Sequence, residues 1–146
     1  MADVFSPEVR SRNMSRIRST NTKPEVLVRK YLFSKGIRYR KNVRRMPGVP
    51  DIVLKKYRSI IFVNGCFWHG HEGCRCFIVP GTRTEWWLQK IMRNASRDKE
   101  NIQKLQNQGW TVYTVWECEI EKNLQETMDS VISRMKEKAD ARRDDL

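Results

Sequence analysis

No stretch of this chain is long and apolar enough to span a bilayer as a helix, which argues against an integral helical membrane protein. The opening residues, Met-Ala-Asp-Val-Phe-Ser-Pro-Glu, lack the charged-then-apolar layout of a secretory signal, so a cytoplasmic location is expected. Cysteine is sparse, with four in 146 residues, and histidine sparser, with two. In a reducing compartment four cysteines are expected to be metal ligands or plain thiols, not disulfides. There are no internal repeats and no low-complexity linkers, and the length suits one domain with one core. Acidic residues are short of basic ones, 17 against 29, for a net charge of +12 and a pI near 9.9. That imbalance points to a polyanion, nucleic acid first, over a surface kept basic only for solubility. A membrane surface is the weaker rival, because the basic residues do not gather on one amphipathic helix.

Hydrophobic residues, at 39%, are enough for a folded chain, and their spacing predicts its elements. Residues 1–20 read as a basic arm, with Met14 and Ile17 the large apolar groups of its basic stretch. Thr22-Lys23-Pro24-Glu25 reads as a helix start with a capping box, followed by an apolar stripe at Leu27, Val28, Tyr31 and Leu32 and a stop at Gly36. Arg38 to Val43 has strand character. A Met46-Pro47-Gly48-Val49-Pro50 turn then leads to an antiparallel hairpin of Asp51–Leu54 and Ser59–Asn64. A long helix is expected from Thr84 to Gln108, ended by Gly109, with Trp87, Ile91, Ala95, Ile102 and Leu105 roughly on one face. Trp110 to Trp116 reads as a third strand and Asn123 to about Ala139 as a last helix. The result is a mixed α/β domain over 21–140 with one central sheet, and a charged tail at 141–146.

The densest chemistry lies between Cys66 and Cys76, which holds three of the four cysteines and both histidines. A structural zinc site takes four Cys or His ligands, and Cys118, just after the third strand, can return to it. Six candidates then compete for four places, and spacing does not choose between His69 and His71 or between Cys74 and Cys76. Asp51, at a strand start among arginines, suits a magnesium ion facing a phosphodiester, although taken alone a turn-forming Asp explains it better. Glu25 is explained by the capping box. His69 suits a general base if it is not a zinc ligand. Phe67 and Trp68, large aromatics in a polar loop, suit stacking against bases or a lid over the metal, and Trp86-Trp87 adds a second pair, Trp87 being mostly core.

The runs Phe62-Val63-Asn64-Gly65-Cys66-Phe67-Trp68-His69-Gly70-His71, Pro80-Gly81-Thr82-Arg83-Thr84-Glu85-Trp86-Trp87 and Val115-Trp116-Glu117-Cys118 resemble the very-short-patch repair endonucleases. So do Arg12-Asn13-Met14, the Pro47-Gly48 and Pro50-Asp51 turn, and Gly109-Trp110, so that the resemblance spans about Ser11 to Glu119. It implies a restriction-endonuclease-like single domain: a central mixed sheet flanked by helices, with a structural zinc site. It implies an enzyme that nicks one DNA strand beside the thymine of a T·G mismatch, left by deamination of 5-methylcytosine, by Mg²⁺-dependent hydrolysis. Carried over by residue, Asp51 and the carbonyl of Val63 hold magnesium, His69 activates water and Glu25 supports the water network. Cys66, His71, Cys74 and Cys118 bind zinc. Phe67, Trp68 and Trp87 wedge beside the mismatch, with Met14 and Ile17 entering from the other groove. Three features depart from the family pattern, one of them the loop after His71, whose length varies and where Cys76 competes with Cys74. Val63 stands where Thr is common, which a carbonyl ligand tolerates. Asn64 stands where His is common; it can bond a water in the catalytic site but leaves His69 as the only base. The implied partners are duplex DNA with a T·G mismatch and downstream repair proteins, and the implied state is a monomer working on the nucleoid. The rivals are a restriction- or homing-type nuclease of the same fold and a non-catalytic zinc-stapled DNA-binding module.

Overall fold

The computed structural model describes residues 22–66, His69, His71, Cys74 and 81–144. Helix α1 runs Lys23–Ser34 with Pro24 in its first turn, where a missing N–H costs nothing. Its buried residues Glu25, Val28, Arg29 and Leu32 follow the helical period, so one face turns inward. The expected capping box fails in its first half: the Thr22 side chain makes no capping bond, and Glu25 is buried instead. The far end closes as expected at Gly36, whose φ of +73° suits glycine. There Ile37 N–H donates to Leu32 O and Gly36 N–H to Phe33 O, both at 3.0 Å, the paired bonds of a Schellman stop. The Tyr31 hydroxyl donates to Asp129, which holds the phenol up at about 12 and ties α1 to the last helix.

The sheet has four strands in the order β1-β2-β3-β4: Arg40–Lys41, Ile52–Leu54, Ser59–Asn64 and Thr111–Trp116. The β2–β3 hairpin is antiparallel, as its sequence predicts, with Ile52 opposite Ile61. β4 lies parallel to β3, with Val63 opposite Val115 and Asn64 opposite Trp116. β1 is shorter than the expected Arg38–Val43, because Asn42 turns left-handed at φ +49°. Pairing resumes past that turn: Asn42 N–H donates to Asp51 O (3.1 Å) and Val43 N–H to Pro50 O (3.2 Å).

Alternation along the strands feeds two apolar layers. Ile52, Leu54, Ile61, Val63, Tyr113 and Val115 pack with Val28 and Leu32 of α1 and with Ile120, Met128, Val131 and Met135 of the last helix. Val53 and Ile60 face the other way and pack with Leu105 of helix α2, Thr84–Asn107. Helix α3 spans Glu117–Asp144 and is broken at Asn123, whose extended backbone interrupts it. Asn123 Oδ1 accepts from Glu126 N–H at 3.0 Å, a cap for the long segment whose start the sequence predicts. The short helical segment from Glu117 to Asn123 was not foreseen, and it carries Cys118. The architecture is therefore the mixed sheet flanked by helices that was expected.

The turn before Asp51 is pinned to α2. Gly48 has φ +76°, and a Cβ there would lie 3.0 Å from Asn101 Cβ. Gly48→Ala is expected to lose about 2 kcal/mol in urea unfolding, from overpacking plus left-handed strain.

Candidate active site and metal centre

Asp51 sits where the turn enters β2, half-buried. Its Oδ2 accepts from Val63 N–H at 2.7 Å. The β2–β3 ladder ends at Ile52 and Ile61, so past that point the carboxylate serves β3 in place of a partner carbonyl. Glu25, on the buried stripe of α1, comes within hydrogen-bonding reach of the same carboxyl. Burial pushes Asp51 up to about 7 and the Glu25 charge adds to it, while the Val63 N–H and His69 pull the other way. A carboxylate this close to the Glu25 charge ionises at a cost, which a bound cation would offset. Oxygen donors of this kind, with the end of β3 alongside, fit a hard divalent ion such as magnesium. Arg29 Nη1 lies 3.5 Å from Glu25 Oε2, a buried pair that anchors Glu25 from its own helix. Asn64, at the end of β3, is also buried.

His69 faces this site from the loop after β3. Its N–H donates to Gly65 O at 3.2 Å, and its Nδ1 lies 2.5 Å from Asp98 Oδ2 on α2. A carboxylate accepting from Nδ1–H leaves the lone pair on Nε2, the tautomer a general base needs. Asp98 was not singled out from the sequence. The available signal was its position seven residues after Ile91 and seven before Leu105, a charge on the buried side of the helix.

The two histidines part company. His71 turns to the thiols, with Nδ1 3.4 Å from Cys118 Sγ. Ligand atoms of Cys66, His71, Cys74 and Cys118 all lie within 4.8 Å of one another. Local backbone bonds bring three of them together: His71 N–H donates to Cys66 O (2.9 Å) and Cys74 N–H to His71 O (3.4 Å). The fourth comes from the first turn of α3. Burial pushes the Cys66 and Cys118 thiols up, and each feels the other's proximity and that of Cys74. Three thiols and an imidazole at this spacing form a soft tetrahedral donor set, which fits zinc. Trp116 stacks on the His71 ring, centroids 4.0 Å apart and planes 7° apart.

Of the expected DNA-facing groups, Trp87 is 8% exposed on α2, and its neighbour Trp86 is 43% exposed. The two rings meet edge to face at 4.7 Å. Trp86 is flanked by cations, Arg83 at 4.8 Å and Lys90 at 5.3 Å from its ring centroid. Met14, Ile17, Phe67, Trp68 and Cys76 lie outside the described residues. No described helix is long and apolar enough to cross a membrane.

A family model described as DNA mismatch endonuclease Vsr matches residues 2–75. The chain is 42% identical over 137 residues to the DNA mismatch endonuclease Vsr of Escherichia coli, which covers 94% of this chain and 87% of that protein. It is 50% identical over 120 residues to the type II nicking enzyme V.NmeAIP of Neisseria meningitidis serogroup A, covering 82% and 85% of the two chains. Over 120 residues it is 46% identical to the type II nicking enzyme V.XorIIP of Xanthomonas oryzae pv. oryzae, covering 82% and 88%.

Proposed function

The chain belongs to the Vsr family of DNA mismatch endonucleases, and from that membership we propose that it nicks one strand of duplex DNA beside the thymine of a T·G mismatch, by magnesium-dependent hydrolysis of one phosphodiester, and so starts very-short-patch repair. The observation that carries the chemistry is the meeting of the Asp51–Glu25 carboxylates with the His69–Asp98 pair. Asp51 and the carbonyl of Val63 would hold magnesium, and Glu25 would order the water network beside it, with Asn64 as a further water contact. Bound there, the ion supplies positive charge to a phosphoryl oxygen and to the leaving oxygen. His69 Nε2 takes a proton from water, the water oxygen bonds to phosphorus, and one P–O bond breaks, its oxygen leaving with a proton from solvent. Asp98 keeps Nδ1 protonated and so keeps Nε2 available.

Zinc in the Cys66, His71, Cys74 and Cys118 set staples the loop that carries His69 to the start of α3. The basic arm at 1–20, Met14 and Ile17, and the aromatics Phe67, Trp68 and Trp87 open the base stack around the mismatch. Unstacking costs a few kcal/mol per step and least at a mispair, which supplies selectivity. A monomer suffices for one nick, made in the cytoplasm on nucleoid DNA and passed to repair proteins that act on nicked strands.

The test is a Mg²⁺-dependent nicking assay on otherwise identical T·G and C·G duplexes. Strand-specific nicking of T·G is expected, and equal cutting of both would instead make this a nuclease indifferent to the mismatch. His69→Ala is expected to lower kcat by about 10²–10⁴-fold. Asp98→Ala should lose less, and in the same parameter, because it only fixes the tautomer. Unchanged kcat in both variants would remove His69 as the base.

A further inference from the structure

Trp116 is the last residue of β4, opposite Asn64 in the parallel ladder, and its N–H donates to Glu119 Oε1 at 3.1 Å. Its indole therefore rests on a backbone held from two sides. The ring lies flat on His71, at 4.0 Å and 7°, and meets His69 edge-on, at 6.5 Å and 76°. One side chain thus adjoins a histidine of the soft metal centre and the histidine of the carboxylate site. The Asp98 bond fixes His69 at Nδ1 alone, and a ring held at one atom still pivots about that contact. A second contact is needed to set its angle, and the edge-on indole of Trp116 provides one.

We propose that Trp116 is a positioning residue that transmits the geometry of the Cys66–His71–Cys74–Cys118 centre to the catalytic angle of His69. A metal held by the four ligands would fix the plane of His71; the indole lies stacked on that plane and its edge contact reaches His69. The metal centre then tunes the base as well as stapling the loop. The competing route is the backbone, since only residue 70 separates the two histidines. The proposal rests on reading His69 as the base, and its test separates the two claims.

The chain has two histidines, so the ring signal lost in His69→Ala assigns both in a ¹⁵N-histidine spectrum. The zinc-loaded full chain is compared with its cadmium-exchanged form, whose larger ion lengthens every ligand bond. In the unaltered protein both rings are expected to shift on exchange. In Trp116→Leu, His71 is expected to shift and His69 to stay, with kcat about tenfold lower, KM for the duplex unchanged and one metal per chain retained. Trp116→Phe, which keeps a ring on His71, is expected to restore part of the His69 shift and of kcat. A His69 shift as large in Trp116→Leu as in the unaltered chain assigns the coupling to the backbone and overturns the proposal, as does no His69 shift in the unaltered chain. If Trp116→Leu does not take up metal, Trp116→Phe decides, and an undiminished His69 shift there overturns it. If the spectra behave as expected while His69→Ala keeps full activity, the coupling stands and the base assignment fails.

Discussion

Asp51→Asn is expected to abolish nicking, by about 10³-fold or more, while making the magnesium-free protein more stable. The activity loss follows because the amide keeps the shape but removes the charge that holds a cation, and such a cation is worth several kcal/mol of charge stabilisation. DNA binding should persist, which separates this outcome from the behaviour of a mere binding module. The stability gain follows from the raised pKa of Asp51. Burial and the Glu25 charge push Asp51 up to about 7, so between about pH 4 and 7 the folded chain binds a proton that the unfolded chain has lost. Stability from this site therefore falls as pH rises through that window and stays lowered above it. Asparagine carries no such cost, so the gain on substitution should be about 4 kcal/mol at pH 8 and shrink towards pH 4. Urea unfolding without magnesium at pH 5 and pH 8 measures it. The same proton competes with magnesium, so the Mg²⁺ concentration needed for half-maximal nicking should rise below about pH 7. An Asp51→Asn protein that still nicks, or one destabilised equally at both pH values, would contradict this account.

The sites of those charges bear on what was legible in the chain. Hydrophobic period located α1, α2 and the β2–β3 hairpin, because Val28, Leu32, Ile91, Leu105, Ile52 and Ile61 are core residues that cannot be anywhere else. Asn123 and Gly36 marked ends because capping and left-handed backbone demand those residue types. The left-handed turn at Asn42 was not visible, since its reason is a long-range bond to the Asp51 carbonyl. Glu25 and Asp98 were under-read for a common cause. Each is a charge at a core-facing position of its helix, and each had an ordinary explanation, a capping box or a solvated helix surface. A charge placed on an apolar stripe is costly unless paired, so such positions are where a site announces itself. The soft cluster was legible as composition, but spacing left His69 and His71 open; the resemblance assigned His71 to the thiols, and in the structure α2 meets the His69 ring while α3 meets that of His71.

The second large effect is expected on stripping the soft metal: a fall in melting temperature of at least about 10 °C, with nicking lost in parallel. The loop after β3 reaches α3 through Cys66, His71, Cys74 and Cys118, whose ligand atoms converge within 4.8 Å. A structural zinc ion in such a set contributes about 10 kcal/mol or more, against a total stability of about 5–15 kcal/mol for a domain. Without the ion, the thiols of Cys66 and Cys118 hold their protons, because burial pushes both upward. They are then neutral neighbours with weak mutual attraction. Metal uptake must release those protons, so affinity should fall as pH drops, and acid should eject the ion. Cys118→Ser, which removes the α3 ligand, should reproduce the effect of a thiol-competing chelator. Zinc returned to the stripped protein should restore both melting and nicking, and magnesium alone should restore neither. About one zinc per chain is the expected stoichiometry from four ligands. A chain that is metal-free as purified, melts normally and nicks at full rate would reduce these four side chains to free thiols and an imidazole, and would leave Asp51, Glu25, His69 and Asp98 to be held in place by α1, α2 and the sheet alone.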